Sequence, residues 1–443
     1  MSAAIAGRLL ESGMSETEAS TKAARFAELD GHLAIPTGAK PLRWFVPGRI
    51  EVLGKHTDYA GGRSLLCTAE RGFCVAAVGR PDATVRIHDV IRRQNFEFTL
   101  SPQLGIPLHG WQVYAAVVAR RLTRNFPGAM RGADIAMASD LPSAAGMSSS
   151  SALVIAIFAA LCAVNQLNER PEYAANIHTL EDLAGYLGCI ENGQTYKSLI
   201  GDGGVGTFGG SEDHTAILSS QPRHLKQYSF CPVRLERSVQ LPADCSFVIG
   251  VSGVVASKTG SARERYNRAS LAAKKILEIW RSTSGSDDST LAAAITRSQD
   301  SPDQLRAALE HHGGAESAWL LDRLEQFRLE SETIIPQASD ALVRHDLMAF
   351  GTLVDDSQAA AEKLLGNQVP ETIWLAQQAR SLGAYAASAF GAGFGGSVWA
   401  LVDQQEDTRF AHRWREAYQH RSNRASRESQ FFMSTAGPAT ISL

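Results

Sequence analysis

The spacing of apolar residues opens the chain on a polar helical segment, residues 1–40, in which Ser15-Glu16-Thr17-Glu18 gives an S-x-x-E start. The pattern then changes to that of a strand over 44–53, which breaks into a polar loop bounded by glycines, Gly54 to Gly62. Segments 73–78, 84–88 and 96–100 are rich in β-branched and aromatic residues and are separated by turn formers, which predicts a mostly antiparallel sheet. Helical spacing returns over 111–122. A short strand, 133–138, leads into Leu141-Pro142-Ser143-Ala144-Ala145-Gly146-Met147-Ser148-Ser149-Ser150-Ser151-Ala152-Leu153, and the uncharged apolar run 152–164 reads as a buried helix.

Beyond it, 172–190 is helical, and seven glycines between Gly193 and Gly210 exclude a regular element there. A compact strand at 247–251 heads the second half. Helices follow over 262–280, 289–297, 302–311 and 315–335, with charges alternating on their faces as on solvated helices. Strands at 384–389 and 397–403 flank Gly391-Ala392-Gly393-Phe394-Gly395-Gly396. The domain division falls near 230–245, giving domains 1–235 and 236–443.

Composition narrows the partners. A net charge of -3, from 43 basic and 46 acidic residues, leaves no electrostatic footprint for nucleic acid or an anionic membrane. Run 152–164 is shorter than the roughly 20 residues that span a bilayer, and no charged-then-apolar leader opens the chain, so a soluble, cytoplasmic protein is expected. Six cysteines without metal-ligand spacing read as reduced core thiols, and no structural metal is indicated.

Three stretches carry candidate chemistry. The serine run precedes a helix, where unpaired N–H groups and the positive dipole end favour an anion, while an ordinary serine N-cap is the plainer reading. Four consecutive serines exceed what one cap requires. The loop after the first strand gathers Arg49, Lys55, His56 and Asp58, and the glycine-rich loop ends in Glu212-Asp213-His214. A capping carboxylate or a core histidine is the plainer reading for each of these.

Taken in order, Pro47-Gly48-Arg49, Gly54-Lys55-His56-Thr57-Asp58-Tyr59 with Gly61-Gly62, Trp111-Gln112-Val113-Tyr114, Pro142 to Ser150, Ser261 to Asn267 and Gly391 to Gly396 resemble the motifs of the GHMP small-molecule kinases, in particular the galactokinases. The resemblance covers about residues 44–403. It implies an α+β, two-domain fold of mixed and antiparallel sheets with helices, its active site in the interdomain cleft. It implies an ATP- and Mg²⁺-dependent kinase that phosphorylates the anomeric hydroxyl of galactose or a related monosaccharide.

By match to the family, Asp213 is the base and Arg49 its charge partner. Gly146, Met147, Ser148, Ser149 and Ser150 wrap the phosphates, with Pro142, Trp111, Gly393 and Gly395 beside them. Ser150 and Glu191 are the implied metal ligands, although an insertion separates Glu191 from Asp213. His56, Asp58, Gly210 and Tyr266 match sugar-binding residues. The family glutamate before His-Thr-Asp is Lys55 here, and a cation at that position favours an acidic sugar, so a uronic acid kinase is the alternative; a solvent-facing or carboxylate-paired lysine is the plainer reading. A catalytically silent sugar- and ATP-binding sensor is the rival from another class.

Overall fold

The predicted first strand forms as Leu42–Leu53 and pairs antiparallel with Arg63–Gly79. A computed structural model describes residues 2–255 and 261–443, and in the helix Ser261–Ser284 the side chains from Glu264 onward. The first side chains of the Ser261 to Asn267 motif therefore lie outside the described residues.

The first sheet runs in space Ile441–Ser442, Leu42–Leu53, Arg63–Gly79, Ala133–Ser139, Thr84–Asp89, Gln94–Thr99. Its pairs are antiparallel except Thr84–Asp89 with Ala133–Ser139, which is parallel. Alternation along each strand sorts the apolar side chains to two faces. Trp44, Val46, Val75, Ala77, Ile135 and Met137 join the core beneath the helices Gln112–Asn125 and Ser149–Asn165. Phe45, Cys74, Ala76, Ala136 and Ala138 pack on the amino-terminal helices Ser2–Glu11 and Glu16–Asp30.

A second, antiparallel sheet runs Gln430–Ser434, Cys245–Val251, Ser397–Asp403, Ala386–Ala389. The helices Pro370–Ser381 and Asp407–Gln419 cover one of its faces through Leu375, Phe410 and Trp414. A helical cluster built on Ser261–Ser284, Leu291–Thr296, Ser301–His312 and Ser317–Arg328 has its own core around Ile276, Leu305, Leu320 and Phe327.

Four expectations change. The predicted division at 235/236 falls inside the hairpin His224–Ser229 with Arg234–Gln240, which belongs to the first sheet, and Ile441–Ser442 returns to that sheet from the far end of the chain. The S-x-x-E box does not form, because the Ser15 N–H donates to Glu70 Oε1 at 2.6 Å and Glu18 is engaged by Lys22. Segment 172–190 is divided into Pro171–Ala174 and Leu180–Asn192, the second helix starting where the Thr179 hydroxyl accepts from the Asp182 N–H. The last turns of 315–335 widen into a π segment, Leu329–Ile334, ahead of Pro336, which has no N–H to continue the regular pattern. That segment turns Glu330 inward, where its Oε1 accepts from the backbone N–H of Gly54 at 2.8 Å. Among the described residues, no helix is long and apolar enough to cross a membrane.

Candidate active site

The site begins with a bulge. Pairing steps from Pro47 opposite Gly72 to Arg49 opposite Thr68, so Gly48 faces Ala69, Glu70 and Arg71, and the extra residues lie on the partner strand. A Cβ at Gly48 would lie 2.5 Å from Leu141 Cδ2 and 2.8 Å from the Met147 carbonyl oxygen, so glycine here lets the serine loop come close to the strand. The Arg49 N–H then donates to the Met147 carbonyl at 3.2 Å, and Arg49 Nη1 donates to the Gly146 carbonyl at 2.9 Å.

The serine loop departs from an ordinary cap. Its helix starts at Ser149, three residues before the apolar run, and Ser148 at its N-terminus has φ 60 and ψ 37 with no side-chain capping bond. An ordinary cap has extended backbone and a hydroxyl bonded into the first turn. Ser148 Oγ is instead buried without a partner. Ser148, Ser149 and Ser150 line a cavity with Gly146, Trp111, Tyr114, Arg49 and Asp213. The next serine points the other way: Ser151 Oγ donates to Glu191 Oε2 at 2.8 Å and lies 3.3 Å from Asp213 Oδ2.

A second cavity adjoins the first. Among the described residues, five carboxylates line it, Glu51, Asp58, Glu191, Glu212 and Asp213, with Arg49 as the one arginine. Arg49 Nε donates to Asp213 Oδ1 at 2.7 Å, Nη2 donates to Glu51 Oε2 at 2.8 Å, and Glu212 Oε1 is 3.4 Å from Nε. Burial opposes the arginine's charge, but Asp213, Glu51 and Glu212 outweigh it and hold the guanidinium's pKa above its ordinary value. Burial pushes Asp58 up to about 6, against the N–H bonds it receives from Glu212 and Tyr59.

Burial, then the charge of Glu51, pushes the Glu212 carboxyl well above its usual range. Its Oε2 accepts from Ser64 Oγ at 2.6 Å. Ionising Glu212 is therefore harder in the folded chain than in the unfolded one, and stability is lost as pH rises from about 4.3, the ordinary glutamate value, toward the raised folded value. Gln at this position cannot ionise and keeps an acceptor for Ser64. Glu212→Gln is expected to gain stability relative to the parent as pH rises above about 4.3 in thermal melts, and parallel Tm curves would contradict the assignment.

Three family models match this chain. GHMP kinases N terminal domain matches residues 113–189, GHMP kinases C terminal matches 338–420, and the galactokinase galactose-binding signature matches 37–78. The chain thus carries both GHMP kinase domains and the galactokinase galactose-binding signature. A galactokinase of Roseiflexus sp. is 28% identical over 388 residues, covering 86% of this chain and 88% of its own length. One from Chloroflexus aggregans is 27% identical over 366 residues, covering 82% and 84%. The crystal structure of Lactococcus lactis galactokinase complexed with galactose superimposes with TM-score 0.75 at 22% identity, covering 95% of this chain and 98% of that one. Methanococcus jannaschii mevalonate kinase superimposes with TM-score 0.52 at 11% identity, covering 90% and 99%. The two structures share the GHMP kinase fold with this chain.

In this chain, Arg49, His56, Asp58, Gly210, Asp213, Glu191 and Tyr266 come together around the acidic cavity. His56 and Tyr266 lie with ring centroids 5.1 Å apart. Gly210 is needed for close approach, since a Cβ there would sit 2.3 Å from Asp58 Oδ2. Trp111 and Ser150 line the serine-loop cavity instead, and Ser151 rather than Ser150 is joined to Glu191. Pro142 and Met147 are buried behind the loop. Gly393 and Gly395 lie against Asn367 and Val254, and of their loop Gly391 and Ala392 reach the cavities.

Lys55 is the main correction. Its side chain is 1% exposed and lines neither cavity. Nζ donates to Ser388 Oγ at 2.8 Å and Ser357 Oγ at 3.1 Å, in the second half of the molecule. Neighbouring side chains of this loop point to opposite sides, and His56, at φ 60, takes the cleft side. Sequence reasoning missed Glu51 and Ser151 as site residues, along with Arg92, which lines the serine-loop cavity and donates to Ser143 Oγ at 3.1 Å. The two-residue spacing of Arg49 and Glu51 on one strand was the available signal for Glu51.

Proposed function

We propose that this protein transfers the γ-phosphoryl group of ATP to the anomeric hydroxyl of galactose or a closely related monosaccharide. The observation that carries the reading is that Arg49 and Asp213 line both cavities, the one at the serine loop and the polar one beside His56 and Asp58. A carboxylate and a guanidinium at that junction sit where a phosphate held by the loop meets a hydroxyl held in the cleft.

The residues suit ATP and Mg²⁺. Ser148 Oγ is a buried hydroxyl still lacking a partner, the loop presents the N-terminus of the helix Ser149–Asn165, and Glu191 with Ser151 forms an oxygen pair beside Asp213. When bound, Mg²⁺-ATP supplies the phosphoryl group and neutralises part of its charge. Glu191 and the serines would hold the metal, and Trp111 and Tyr114 would flank the nucleotide. Asp213 takes the proton of the sugar hydroxyl as the phosphoryl group arrives. Arg49, held by Glu51 and the Gly146 carbonyl, fixes the Asp213 carboxylate and steadies charge developing beside it. Asp58, His56 and Tyr266 orient the sugar by polar contacts, which suits a polyol with little apolar surface. The six cysteines are free thiols, in keeping with a reducing, cytoplasmic setting.

The uronic acid reading rested on Lys55 and loses that support, because its ammonium is turned to Ser357 and Ser388. Lys55→Met should shift the ratio of galactose to galacturonate turnover by less than about threefold. A larger shift would return Lys55 to sugar recognition. ADP release across a panel of neutral and acidic sugars tests the function itself: turnover with galactose or a near relative is expected, and none with any sugar despite ATP binding would overturn it.

A further inference from the structure

Next to the acidic cleft lies a small cavity of opposite polarity. Arg265 and Arg268 of the helix Ser261–Ser284, Arg323 and Trp319 of Ser317–Arg328, Phe394 of the glycine loop, and His56 line it, and among the described residues no carboxylate lines it. In a chain of net charge -3, three guanidiniums in one cavity are a local excess.

None of the three pairs with a described carboxylate at ion-pair distance. Glu316, whose charge acts on Arg268, is itself paired with Lys275. Arg323 is 1% exposed, and its donors go to neutral groups: the His56 carbonyl, Gln326 Oε1, Tyr59 Oη at 3.2 Å and the Ala269 carbonyl at 3.3 Å. A buried guanidinium without a counter-ion is costly, so its charge is left for a group that enters the cavity. The other two are pre-oriented. Arg268 stacks with its Cζ 4.4 Å from the Trp319 ring centroid, and Arg265 with its Cζ 4.8 Å from that of Phe394. Stacking holds each planar fork while leaving N–H edges to bind oxygens. Three residues apart on one helix, the two arginines share a face.

His56 lines both this cavity and the acidic cleft. Arg49 and Asp213 line the cleft and the serine-loop cavity and are absent from the basic one. The cleft thus has a phosphate-loop side at Asp213 and a basic side at His56. We propose that the basic cavity receives an anionic substituent, such as a sulfate or phosphate ester, carried by the sugar on the side away from the hydroxyl that is phosphorylated. The inference rests on the sugar kinase reading and extends it to a substrate class, an anionic derivative of a hexose. It places the recognition of charge on Arg265, Arg268 and Arg323, leaving Lys55 out of it.

The test compares galactose with galactose 6-sulfate in ADP-release kinetics for the full chain, Arg268→Ala and Arg268→Lys, with calorimetry of inorganic sulfate. In Arg268→Ala, kcat/KM for the sulfated sugar should fall about tenfold, mostly through KM, while kcat/KM for galactose stays within about twofold and Lys restores part of the loss. Equal changes for both sugars, or sulfated sugar handled alike by parent and variant, would overturn the proposal. Inorganic sulfate binding as tightly as galactose 6-sulfate, with galactose making no difference, would also overturn it by making the cavity a free-anion site. If no sugar is phosphorylated, the kinase reading fails separately. Calorimetry of galactose 6-sulfate then still decides the cavity: weaker binding in Arg268→Ala supports it, and equal binding refutes it.

Discussion

Asp213→Asn is expected to lower kcat by about 10²–10⁴-fold, the usual contribution of a positioned proton acceptor, with the fold intact. Asn keeps an oxygen for Arg49 Nε, so the 2.7 Å contact survives in kind. What it loses is a second oxygen able to take a proton, on the side where Ser151 Oγ lies at 3.3 Å. Because Asp213 also borders the serine-loop cavity, the variant must be shown to bind ATP normally by calorimetry before its kcat is interpreted. Ordinary turnover in a variant that binds ATP would remove Asp213 as the base.

Arg49→Met carries the second large effect, on stability as well as rate. The Arg49 side chain is 6% exposed and holds Glu51 at 2.8 Å and Asp213 at 2.7 Å, with the Glu51 side chain itself 3% exposed. Removing one partner of a buried pair leaves an uncompensated charge, which costs about 3–5 kcal/mol. Urea unfolding should show a loss of that order alongside loss of turnover. The double variant Arg49→Met with Glu51→Gln should recover part of the stability, since the stranded charge is removed with its partner, and should recover no activity. A destabilisation below about 1 kcal/mol would mean that the network around Arg49 is solvated rather than buried.

These two residues were legible through the family resemblance of the motifs that carry them, Pro47-Gly48-Arg49 on the first strand and the glycine-rich run that leads to Asp213. The serine loop was legible for the same reason, and its geometry departs from an ordinary cap, since Ser148 sits at φ 60 with no side-chain capping bond. Side-chain direction was harder. Whether Ser150 or Ser151 meets Glu191 depends on where the first helical turn begins, and that turn starts before the apolar run that marks the helix in sequence. Lys55 was misread for a related reason. Its neighbour His56 has positive φ, a conformation composition does not announce, and the serines that receive the ammonium lie more than three hundred positions away along the chain. Glu330 reaches the same loop from a π segment that helical periodicity does not distinguish from an ordinary helix.

The polarity of the site follows from the same contacts. Glu51 and Glu212 place two further carboxyls beside the Arg49–Asp213 pair, and the burial that raises the Glu212 carboxyl opposes that cluster carrying its full formal charge. A neutral sugar ring suits such a cleft, with any anionic group directed to the arginines beyond His56.

The central claim is tested most directly by the position of the phosphate in the product. With ATP, Mg²⁺ and galactose labelled with carbon-13 at C1, phosphorus and carbon NMR should show a phosphate coupled to C1, formed by the parent and absent with Asp213→Asn. Phosphate on any other oxygen, or no phosphorylated sugar while ATP is bound, would contradict the account.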